Sequence, residues 1–150
     1  MGALAGYYGG AVDAVLMRFT EALLNIPTIF LLLVMAKFFG GNIPEIEVAG
    51  RVFSGSVVVI VVIIGATSWM YLARIVRAEF LSLKEREFIL AARATGTSNF
   101  EIIFFHILPN TFAPIIVSST LSVANAILAE AYISFLGLGV QPPTATWGNM

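Results

Sequence analysis

The chain has 150 residues, 59% of them hydrophobic and only 11% charged, with formal net charge −1 and no cysteine. Soluble domains carry about 45–50% apolar and about 25% charged residues, so a chain this size cannot hide so much apolar side chain behind its own surface. That composition points to an integral membrane protein. The missing cysteine excludes disulfides, thiol catalysis and cysteine-ligated metal, and the near-zero charge supplies no field for nucleic acid.

In chain order, the opening "MGALAGYYGG" lacks the basic stretch and cleavage site of a signal peptide. Its small apolar residues read as the tail of a spanning helix, and the uncapped "PPTATWGNM" at the other end adds to the expectation of a piece of a longer chain. A bilayer core of about 30 Å needs roughly 20 mainly apolar residues in helix. Three stretches meet that length: about 19–39, 56–75 and 109–129. "VVVIVVII" in the second has strand-like β-branching, but the run stays apolar through Tyr71, too long for a strand. Pro27 and Pro114 predict kinks in the first and third spans.

Lys and Arg favour cytoplasmic loops. Five of the eight (Arg74, Arg77, Lys84, Arg86, Arg93) lie between the second and third spans, and only Arg51 lies between the first and second. The segment 74–108 is therefore expected in the cytoplasm and 40–54 outside. Arg18 agrees with this orientation, and Lys37 near the outer end of its span snorkels to the interface.

The segment about 76–108 reads as a helix–turn–helix. Ser82 with Glu85 predicts a capping box that starts a helix at about Leu83, Gly96 predicts its end, and Ser98 with Glu101 predicts a second capping box. Phe88, Ala91, Ala92 and Thr95 recur at i, i+3, i+4 and i+7, so they share one face whose small residues admit another surface, with Arg93 beside it. An amphipathic helix lying on lipid headgroups fits the same pattern. A DNA-binding helix does not, because Glu85, Glu87 and Glu101 cancel Lys84, Arg86 and Arg93.

"AARATGTSNFEIIFFHILPN" resembles the EAA loop of the inner-membrane permeases of ATP-binding-cassette importers, E-A-A-x3-G-x9-I-x-L-P. Ala91, Ala92, Gly96, Leu108 and Pro109 match at the right spacing; Leu90 stands where the pattern has Glu, and His106 where it often has Ile. "GALAGYYGG", "LSLKEREF" and "AEAYISFLGLGVQPPTATWGNM" are similar to the branch that imports dipeptides, oligopeptides and nickel. The resemblance implies an all-α polytopic bundle in a bacterial or archaeal cell membrane, and a full chain about twice this length. It also implies partners: ATP-binding-cassette ATPase subunits, a second homologous permease subunit, an extracytoplasmic substrate-binding protein and membrane lipid. The helix holding Phe88, Ala91, Ala92, Arg93, Thr95 and Gly96 would insert into a groove of the ATPase; Leu108 belongs to the same coupling loop, and Pro109 would stiffen the loop's junction with the third span. ATP hydrolysis would then reside in the partner, and no cofactor is implied.

Two residues stand apart. His106 is the only histidine, which leaves no second ligand for a metal site. Glu130 sits near the outer end of the third span, where a carboxylate is costly and commonly faces a pathway or a partner. It is the candidate pathway-lining residue. Two readings without an ATPase remain: a secondary transporter or channel, for which Glu130 alone makes a thin ion relay, and a membrane anchor whose loop binds lipid. An enzyme reading lacks a phosphate-cradling loop, a nucleophile–base pair and a metal set.

Overall fold

A computed structural model describes residues 1–48 and 50–140. It consists of helices with one small hairpin: α1 (Gly2–Tyr8), α2 (Gly10–Leu24), α3 (Thr28–Phe39), β1 (Ile46–Val48), β2 (Arg51–Phe53), α4 (Gly55–Leu83), α5 (Glu87–Ala94), α6 (Asn99–Glu101) and α7 (Phe112–Phe135). Between α6 and α7 the chain stays helical but changes winding, through a π segment at Ile102–Ile107 and a tight 3-10 turn at Leu108–Thr111. The all-α architecture expected from the sequence is borne out, since apart from the hairpin the described elements are helical. α4 and the continuous helix Asn99–Phe135 are long and apolar enough to cross a membrane, and the pair α2 and α3 is so when taken together. At 1.5 Å per residue the 29 residues of α4 reach about 43 Å, more than a hydrocarbon core requires.

The kink expected at Pro27 is a complete break. α2 ends at Leu24, and Pro27 (φ −62°, ψ 114°) caps α3 in extended conformation. Proline lacks the N–H that would continue the ladder and pushes the residue before it out of helical space. Pro114, by contrast, lies inside α7, which runs on without a break. The hairpin is an addition to the expected architecture. Ile46 pairs with Phe53 and Glu47 with Val52 across a turn at Gly50.

The chain divides into two compact units. In the first (1–24 and 69–120), Tyr7, Phe80, Ile89, Ile102, Ile103 and Ile107 form one buried cluster. α1 reaches that cluster by riding directly on the α4 backbone. A Cβ on Gly2 would lie 2.2 Å from the Ala73 carbonyl oxygen, and one on Gly6 would lie 2.7 Å from that of Arg77. Gly2 and Gly6 thus form a small-xxx-small contact of the kind that brings membrane helices together. In the second unit (25–68 and 121–150), Leu32 of α3, Val59, Ile60 and Ile63 of α4, and Ile133 of α7 are buried together with Val140.

Candidate functional site

The 76–108 segment is built differently at its start from the sequence expectation. Ser82 does not cap a new helix, because α4 continues to Leu83 and Ser82 lies in its last turn. An N-cap needs extended backbone, and the long α4 run holds Ser82 helical. Arg86 (φ −74°, ψ 147°) takes the cap position without a side-chain bond, and its carbonyl accepts from the Ile89 and Leu90 amides.

The turn at Gly96 is as expected. Gly96 has φ +83°, a left-handed value that costs a side-chain-bearing residue strain. The Thr97 amide donates to the Ala92 carbonyl at 3.1 Å and the Gly96 amide to that of Arg93 at 3.0 Å, the two bonds of a Schellman C-cap. The Thr95 hydroxyl adds a bond to the Ala92 carbonyl at 2.8 Å.

The second capping box is also present. The Ser98 amide donates to Glu101 Oε2 at 3.1 Å, and Ser98 Oγ accepts from the Glu101 amide at 3.3 Å. The Ser98 hydroxyl donates to the same Oε2 at 2.8 Å, and these bonds, the hydroxyl's first, hold the Glu101 carboxyl below the usual carboxylate range.

α5 presents two faces. Phe88, Ala91, Arg93, Thr95 and Gly96 are exposed. Ile89 is fully buried, and Ala92 packs half-buried against the same cluster. This corrects the expectation that Ala92 shares the open face: 100° of helical rotation separates it from Ala91 and turns it toward Ile89. Leu108 packs on the cluster, and Pro109 is exposed. His106 is half-buried, and its carbonyl accepts from Asn110 Nδ2 at 2.6 Å, a side-chain donor beside the change of winding. Glu130 is half-buried near the end of α7, where its Oε1 accepts from Ser134 Oγ at 2.5 Å; the Ser134 oxygen in turn accepts from the Val140 amide at 3.2 Å. The stretch 137–143 is described only as far as Val140, and the remainder lies outside the described residues. Among the described residues no three His, Cys, Asp or Glu converge as a metal set.

Sequence reasoning missed the residues that tie this segment down. Tyr7 Oη donates to Asn99 Oδ1 at 2.5 Å, and the Arg93 guanidinium lies 5.4 Å from the Tyr7 ring centre. Arg77 of α4 makes a bidentate pair with Asp13 of α2. The signal was present in part: "GALAG" is a G-x-x-x-G pattern that predicts close helix contact, with Tyr7 next to it.

Known proteins resemble this chain along its whole length. A putative peptide permease protein of Brucella ovis is 41% identical over 150 residues, covering 100% of this chain and 45% of the relative. The oligopeptide transport system permease protein OppC of Haemophilus influenzae is 41% identical over 149 residues, covering 99% and 43%. The dipeptide transport system permease protein DppC of Bacillus subtilis is 40% identical over 149 residues, covering 99% and 42%. The chain therefore spans less than half the length of these relatives, and their names bear out the peptide-permease branch read from the motifs. The family model for the binding-protein-dependent transport system inner membrane component matches residues 1–150, and the chain belongs to that family.

Proposed function

We propose that the chain is part of a permease subunit of an ATP-driven importer of peptides in a bacterial cell membrane, and that α5 with Gly96 is the element through which a separate ATPase moves the spans. The observation that carries the reading is the geometry of 86–108. A short helix closed by a Schellman turn and followed by a capping box offers Phe88, Ala91 and Thr95 outward while Ile89 and Ile102 anchor it to α4. Such a helix meets a partner as a rigid knob without losing much conformational freedom on docking.

In this reading α4, α7 and the α2–α3 pair cross the membrane, 76–108 faces the cytoplasm and the hairpin faces outside. A homologous second permease and an extracytoplasmic binding protein complete the machine, with hydrolysis in the ATPase. Glu130 is the proposed pathway-lining residue; its Ser134 bond keeps a carboxylate satisfied at membrane depth.

The test is Gly96→Val in the full-length permease assembled with its ATPase. Open space surrounds Gly96, so the change acts through φ and not through a clash, and strain of about 1 kcal/mol or more redirects the chain after α5. The spans should insert normally, while ATPase binding weakens or uptake of a radiolabelled tryptic-peptide mixture per ATP falls. Normal uptake with the ATPase bound would remove α5 from the coupling role. Single cysteines replacing Glu45 and Ala94, both exposed, should label from opposite sides of the membrane.

A further inference from the structure

We propose that Tyr7 is a positioning residue that clamps the α5–α6 loop to α1, so that movement of the loop is delivered to α1 as well as to the spans that flank it in sequence. The inference rests on the coupling role proposed for α5. Three independent contacts converge on this one side chain. Tyr7 is 7% exposed and packs in the cluster with Phe80, Ile89 and Ile102. Its hydroxyl donates to Asn99, the first residue after the Ser98 cap. Its face carries Arg93 of α5. Tyr7 therefore touches both sides of the Gly96 turn, 86 or more residues away in sequence.

The far side of the clamp is equally firm. α1 cannot slide on α4, because Gly6 lies against the Arg77 carbonyl and the Phe80 Cβ. α1 and α2 meet at Gly9, whose φ of +67° gives the chain a joint just past Tyr7. A push on α5 would thus reach α1 through a buried aromatic side chain bonded at its tip, and two-point attachment resists rotation as well as translation.

Tyr7→Phe tests this, because it keeps the ring and removes only the tip bond. In a cysteine-free full-length permease assembled with its ATPase, spin labels at Leu4 and Ala94 would report the distance from α1 to α5. The expected result is a broadened distance distribution, with the ATPase still bound and uptake of the labelled peptide mixture per ATP lowered about fivefold, the factor equivalent to about 1 kcal/mol. Asn99→Ala should do the same, and the double variant should be no worse than either single one. An unchanged distribution, unchanged uptake per ATP, or additive losses would each overturn the clamp. Gly96→Val separates the two proposals: if it uncouples while Tyr7→Phe does not, the clamp alone fails; if Gly96→Val leaves coupling intact, the coupling role of α5 fails.

Discussion

The region around α5 and the helix α7 are both helical, yet they are specified in opposite ways. Around α5, Phe80, Ile89, Ile102 and Ile107 are fully buried, and bonds among Tyr7, Asn99, Ser98 and Glu101 define each turn. In the helix that contains α7, the most apolar stretch has no buried residue at all. Its Thr120 hydroxyl turns inward to the Ile116 carbonyl of its own helix at 2.9 Å. The lesson is about where shape information resides. A membrane helix needs only length and apolarity to form, since lipid forces its backbone to satisfy itself. The segment around α5 is made of short helices joined by turns, and such a segment holds one shape only if packing and caps agree.

The comparison breaks first, and with the largest effect, at the buried cluster. Phe80→Ala should destabilise the first unit by about 3–5 kcal/mol, whereas Val123→Ala on the exposed face of α7 should stay within about 0.5 kcal/mol. Thermal unfolding of the full-length permease in detergent measures both, and equal shifts would erase the contrast.

Next comes the helix crossing. Gly6→Ala places a Cβ against the α4 backbone and should cost about 1–3 kcal/mol, while Gly65→Ala in α4, where nothing lies within 4 Å, should be tolerated. Similar losses at both glycines would show that backbone contact is not what seats α1.

The Asp13–Arg77 pair should have a smaller effect. Its side chains are 16% and 34% exposed, so solvent screens it, and Asp13→Asn should cost about 1 kcal/mol. Exchanging the two residues should recover most of that loss; failure to recover would assign the effect to packing.

The smallest effect is confined to one turn. Glu101 is held below the ordinary glutamate range, so its cap contributes fully above that range and is lost as pH falls through the lower folded-state value. Hydrogen-exchange protection of the Ile102 amide should weaken on acidification through this range, and Glu101→Gln should flatten the response. Unaltered pH dependence in that variant would remove the carboxylate from the cap.

Much of this molecule follows from local signals. The membrane class follows from composition, the long helices near 56–75 and 109–129 from apolar runs, and the left-handed Gly96 and the Ser98–Glu101 box from a few residues each. Apolar length and backbone conformation are properties the chain carries wherever it folds. The false capping box at Ser82 shows the limit of that logic. Its pattern is complete, but α4 propagates through it, because extending an existing helix is easier than nucleating another. Which face of α5 stays open was likewise decided by packing: Ala91 and Ala92 are the same residue type, and only the position of Ile89 against Phe80 and Ile102 turns Ala92 inward. The ties from Tyr7 to Asn99 and from Asp13 to Arg77 span 92 and 64 residues, distances over which no periodicity or cap carries information. They exist because Gly2 and Gly6 let α1 lie on α4, and that contact arises only when the two helices meet in three dimensions.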